Sequence, residues 1–200
     1  LYAAEGAFQQ LLLCFREYPI SVAITSGTYC DKVPDICEKY ILEALEEGEP
    51  TDEAEAERQA GALAEQLNTL ALPLAQGEGC TVPDRLQNQW ILLERQSRDM
   101  EAVLLRQTGE KELRVKVRYT NGSYRTFLAE AGQWHRNDTF LNLTKRYHCL
   151  SYGVKEGALY LSDAMINTSY REEYMLAPGE EPGIFRCTWK PNVTYVDGKD

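Results

Sequence analysis

The chain has 200 residues, 44% hydrophobic and 26% charged, enough for one large domain or two small ones and ordinary for a folded protein. Its net charge of −10 is uneven: the first 110 residues carry 8 Lys/Arg against 20 Asp/Glu, and the remaining 90 carry 13 against 11. That balance argues against a nucleic-acid partner, and no apolar run is long enough to cross a bilayer as a helix.

Residues 3–16 place Ala4, Ala7, Phe8, Leu11, Leu12 and Phe15 at three- and four-residue spacing, which predicts a first helix ended by Tyr18-Pro19. Val33-Pro34-Asp35 starts a second, with proline near the first position and an acid in the first turn; Gly48 and Pro50 stop it. Thr51 is read as the cap of a third, with Asp52 and Glu53 in its first turn. There Ala56, Ala60, Leu63, Leu67 and Leu70 repeat at 4-3-4-3 spacing up to Pro73, a face expected to pack on the neighbouring helices. Pro83-Asp84 opens a fourth candidate, with Leu86, Trp90, Leu93, Met100 and Leu104 on one face and Gly109 at its end. The alternative for that stretch is two short strands, at 90–94 and 102–106.

From Leu113 the period changes to two: Leu113, Val115, Val117 and Tyr119 alternate with Arg114, Lys116 and Arg118. Asn121-Gly122 signals a hairpin, with 124–128 as the return strand. With both as central turn residues, Tyr119 faces Tyr124, Val115 faces Leu128, and Arg118 faces Arg125. Further strands are expected at 139–143, 147–152, 158–162, 184–189 and 193–196. The expected fold is therefore α+β. An acidic cluster of about four disulfide-linked helices over residues 1–109 precedes an antiparallel sheet, sandwich or small barrel over 110–200, with a shared core left open.

Five N-x-[ST] sequons, at Asn121, Asn137, Asn142, Asn167 and Asn192, crowd the last 80 residues, where chance gives roughly one in a chain this long. They imply the secretory pathway, and asparagines on solvated turns or strand edges. The six cysteines, Cys14, Cys30, Cys37, Cys80, Cys149 and Cys187, then read as three disulfides. The expected pairs are Cys149–Cys187, Cys14–Cys37 across the first two helices, and Cys30–Cys80. With no basic signal-peptide start, the chain reads as a mature secreted protein or the ectodomain of a cell-surface protein.

The sequence offers little chemistry. Only two histidines exist, His135 and His148, neither in a nucleophile context, and G-x-S-x-G, H-E-x-x-H, an acidic calcium loop, C-x-x-C and a glycine-rich phosphate loop are all missing. Glu172-Glu173 and Glu180-Glu181 are adjacent pairs whose members point to opposite faces of a strand, so neither makes a dyad by itself. Twelve tyrosines and three tryptophans suit a binding surface as well as a core. Three triplets resemble pieces of known families: Tyr147-His-Cys149 the corner of immunoglobulin domains, Cys187-Thr-Trp189 cytokine-receptor modules, and Gly132-Gln-Trp134 the opening strand of lipocalins. None extends beyond its triplet. No metal or cofactor is expected. The first expectation is a non-enzymatic extracellular recognition module, meeting a basic protein partner through its glycan-free acidic helical half. The alternatives are a carrier enclosing a small apolar ligand in a barrel-like cavity, and a secreted hydrolase.

Overall fold

In a computed structural model the described residues are 1–28, 30, 32–48, 52–93, 99–141, 144–166, 168–179 and 185–193. They divide into two units, Leu1–Pro73 and Leu74–Asp200. The division falls after Pro73, not at the change of period near Gly109.

The first unit opens with strands where a helix is expected. β1 (Tyr2–Gly6), β2 (Gln10–Phe15) and β3 (Ile20–Ile24) form an antiparallel sheet in that order. The apolar run Leu11-Leu12-Leu13 fits either period. The structure takes period two: Leu11, Leu13 and Phe15 are buried, while Leu12 is exposed. Phe8 and Gln9, read as helical, adopt positive φ in the β1–β2 turn, a conformation no right-handed helix contains.

Two of the expected helices form. α1 (Val33–Glu47) has Pro34 in its first turn, and α2 (Glu53–Thr69) is capped by Asp52, whose carboxylate accepts from the Ala54 amide at 3.0 Å. The cap is Asp52, one residue past the Thr51 expected. No side chain of α2 is buried, and Leu63 and Leu67 are 56% and 55% exposed, so its 4-3-4-3 stripe packs against no neighbouring helix.

The second unit is a near-closed, barrel-like sheet. Its strands are β4 (Trp90–Leu92), β5 (Met100–Gln107), β6 (Glu112–Tyr119), β7 (Tyr124–Ala131), β8 (His135–Leu141), β9 (Thr144–Lys155), β10 (Ala158–Met165), β11 (Arg171–Pro178) and β12 (Phe185–Pro191). The order is β12-β11-β10-β9-β7-β6-β5-β4, with β8 paired to β9. The expectation of about four helices followed by a sheet is thus wrong. Among the described residues there are two α-helices, both in the first unit, and the stretch read as a fourth holds a short 3₁₀ turn (Asp84–Leu86), β4 and β5.

The reason lies in β5. Its register shifts between Met100 and Ala102, so Ala102 and Val103 are both buried. A bulge of this kind breaks strict alternation and imitates the spacing of a helix face. In β6 the alternation is clean: Leu113, Val115 and Val117 are buried as expected, each contributing roughly 1.5–3 kcal/mol through burial.

The β6–β7 hairpin differs from the expected register by one residue. Its loop has three residues, Thr120, Asn121 and Gly122: the Gly122 amide donates to the Tyr119 carbonyl at 2.9 Å, and the Tyr119 amide to the Ser123 carbonyl at 2.9 Å. Gly122, at φ +78, supplies the left-handed residue; Asn121 instead accepts the Ser123 amide on its side chain. Val115 therefore faces Phe127, and Arg118 faces Tyr124. A slip of one residue exchanges the two faces, so Phe127 turns inward in place of Leu128.

One end of the barrel is closed by the segment that enters it. The Ala75 amide donates to Ser151 Oγ at 2.9 Å, Gly79 and Val154 exchange two backbone hydrogen bonds, and the Tyr152 hydroxyl donates to the Cys80 carbonyl at 2.8 Å. Gln107 takes the Val82 amide on its Oε1 and gives its Nε2 to the Cys80 and Glu110 carbonyls. Val82 and Leu86 thereby join Leu105, Leu113, Tyr152 and Leu159 in a fully buried layer.

Candidate functional site

Beyond that layer, toward the β6–β7 and β10–β11 turns, the barrel interior opens into a cavity of about 520 Å³. This lies within the range of small-ligand sites, roughly 300–1,000 Å³. Alternation builds its walls, because every second residue of β6, β9, β10 and β11 faces in. Val115, Phe127, Leu150, Leu161 and Leu176 line its inner part, and Thr120, Asn121, Ser123, Thr168 and Tyr170 come from the turns at its mouth.

Between floor and mouth the wall becomes polar. Asp163 of β10 and Glu172 of β11 are cross-strand partners, and both line the cavity. Glu172 is only 2% exposed and accepts a hydrogen bond from the Tyr174 hydroxyl two residues along the same face. Asp163 Oδ2 lies 2.8 Å from Nδ1 of the buried His148, whose ring packs on Phe127 with centroids 5.3 Å apart. Asp163 Oδ1 is sealed from solvent, and no described residue hydrogen-bonds to it. Arg125 faces the same space with its guanidinium 5.5 Å from the Tyr119 ring centre.

Burial pushes the Tyr119 phenol above its ordinary 10.0; Arg125 opposes the rise, while Asp163 and Glu172 add to it. The phenol is therefore a neutral donor at physiological pH. Cys187 also lines the cavity, and burial raises its thiol to about 11, so the nucleophilic thiolate is scarce at neutral pH.

The sequence-derived sites are scattered over this frame. Asn121 stands at the hairpin tip beside the mouth, exposed as a sequon asparagine should be. Asn137 is half-buried on β8, its side chain engaged by neighbouring strands. Asn192 is exposed just past β12; its Oδ1 accepts the Arg171 amide and its Nδ2 donates to the Ser169 carbonyl. Asn142 and Asn167 lie outside the described residues, as do Glu180 and Glu181. Glu172 and Glu173 do face opposite ways, Glu172 inward and Glu173 paired with Arg171.

All six cysteines carry free thiols. Cys149 of β9 and Cys187 of β12 are separated by β10 and β11, about 14 Å at the usual strand spacing, whereas a disulfide needs Cα atoms within about 7 Å. Cys14 lies on β2 and Cys37 on α1, so the helix–helix rationale for pairing them is gone. Cys30 belongs to the first unit and Cys80 to the second.

Gly132-Gln-Trp134, the lipocalin-like triplet, occupies the turn between β7 and β8, in the middle of the barrel's strand order. No protein-family model matches the chain, and neither a curated protein nor a solved structure matches it.

The arrangement that the sequence does not reveal is the meeting of Asp163, Glu172 and His148 around one cavity. The available signal was that all three sit at inward positions of period-two segments. It stays hidden because no strand is expected over β11, where the inward acid Glu172 interrupts the apolar alternation.

Proposed function

We propose that the second unit is a carrier that encloses a small ligand inside its barrel, and that it works outside the cell. The observation that carries this reading is the cavity of about 520 Å³, with an apolar inner wall and a polar belt below its mouth. A purely structural core closes on itself, as the layer of Leu105, Leu113 and Leu159 does. Here the same strands, two to six residues further along, leave room for a guest. The sequon cluster supports the extracellular setting.

The test is titration of the purified protein with N-phenyl-1-naphthylamine, an uncharged apolar fluorophore. Saturable fluorescence enhancement at one site per chain is expected. Leu161→Trp, which fills the inner cavity, should abolish it, while Leu92→Trp on the exposed outer face should not. Failure of the wild-type protein to bind this and other apolar probes of similar size would overturn the reading.

A further inference from the structure

The arrangement of charge inside the cavity names a class of guest. We propose that the ligand is an organic cation, an aromatic or aliphatic body bearing a protonated amine that docks on Asp163 and Glu172. This rests on the carrier reading and refines it, since the guest expected from the sequence was simply apolar.

Three observations carry the inference. The first is register. Asp163 and Glu172 are direct cross-strand partners facing the same enclosed space. Like charges in that position repel, and the repulsion is stronger away from bulk water. A cation between them turns the arrangement from a cost into a binding determinant.

The second is the hydrogen-bond inventory. Asp163 spends Oδ2 on His148, while its buried Oδ1 receives no donor from any described residue. Buried acceptors are normally satisfied, and a protonated amine brings up to three donors. Tyr174 already gives its hydroxyl to Glu172, which leaves the carboxylate held in place from its own strand.

The third is the balance of the wall. Among the described residues, Asp99, Asp163 and Glu172 line the cavity against one guanidinium, Arg125, and His148 is committed to Asp163. An anionic guest meets three carboxylates on entry. A cationic guest also meets a wall that includes the aromatic side chains of Phe127, Tyr170 and Tyr174, whose rings can attract positive charge.

The experiment uses three ligands of one shape on the full chain: 2-(1-naphthyl)ethylamine, 2-(1-naphthyl)ethanol and 1-naphthylacetate, with affinities read by calorimetry. The amine should bind at least tenfold more tightly than the alcohol, and the acetate most weakly. Asp163→Asn and Glu172→Gln should each cut the preference for the amine, and together bring amine and alcohol within threefold of each other. A melting curve and N-phenyl-1-naphthylamine binding check that each variant folds. Equal binding of amine and alcohol by the wild-type protein would overturn the proposal and leave the carrier reading intact. So would a preference that survives both substitutions, or tightest binding of the acetate, which would make Arg125 the docking group. Absence of binding by every ligand, the uncharged fluorophore included, would remove the carrier reading itself.

Discussion

The side chain of Asn137 pairs with the backbone of Leu128 as a strand residue would: Oδ1 accepts the Leu128 amide at 2.8 Å, and Nδ2 donates to the Leu128 carbonyl at 2.8 Å. Here β9 changes neighbours, pairing with β8 along Thr144–Leu150 and touching β7 only at Ser151 and Tyr152. The asparagine amide thus joins β7 to β8 where the ladder is interrupted. Asn137→Ala strands two backbone groups and should cost about 1–3 kcal/mol in chemical denaturation. Asn137→Asp keeps the acceptor, loses the donor, and should also destabilise. Because Nδ2 is the atom a glycan would occupy, peptide mapping of the protein after expression through a secretory pathway should find Asn121 modified and Asn137 bare.

Gly153 lies against the entering segment so closely that a Cβ there would stand 2.4 Å from the carbonyl oxygens of both Gln76 and Gly77. These are backbone atoms, held by the Gly79–Val154 bridge, and cannot turn aside as a side chain could. Gly153→Ala should therefore destabilise by about 3 kcal/mol or more, at the upper end of overpacking effects. The loss should be of the strapped end: amides around Gly79 and Val154 exchange faster, while the β6–β7 hairpin keeps its protection.

At that hairpin the two turn residues differ in kind. Gly122 has open space around it but a φ of +78, so Gly122→Ala meets backbone strain alone, about 1–2 kcal/mol. Asn121→Gln loses the contact with the Ser123 amide at an exposed turn, about 0.5–1 kcal/mol. Thermal melts should rank the glycine substitution as the more damaging of the two. The reverse order would mean that Asn121, not Gly122, supplies the left-handed residue.

Tyr152 titrates far from its ordinary value. Burial, with added negative charge from Cys80 and Glu130, raises its phenol from 10.0 to about 12. In the unfolded chain the phenol ionises near 10, so its contribution to stability is complete below pH 10 and is lost as pH rises toward 12. Tyr152→Phe should therefore flatten the fall in stability between pH 10 and 12. It should also remove from the ultraviolet difference spectrum one tyrosine that ionises well above pH 10. At neutral pH it loses the hydrogen bond to the Cys80 carbonyl, worth about 1 kcal/mol.

How much of this was legible depended on how far each segment obeyed its own period. β6 alternates without interruption, and its inward set was read off directly. α1 and α2 carry proline or acid at their starts, and both were found. β2 was misread because three consecutive leucines satisfy either period, and only pairing with β1 and β3 selects one. β5 was misread because its bulge makes two adjacent residues inward, and β11 was missed because an acid occupies its buried position.

Sequence by itself determined the acidic first half, the helices α1 and α2, the clean alternation of β6 and the positions of sequons and cysteines, all properties of residues and their near neighbours. Tertiary structure decided that the strands curl into a barrel, that Phe127 rather than Leu128 faces inward, and that Asp163 meets Glu172 and His148 around one cavity. Those outcomes depend on register between distant strands. Register is set by bulges, turn length and backbone contacts such as Gly77 against Gly153–Val154, which act between segments and leave no periodic trace along the chain.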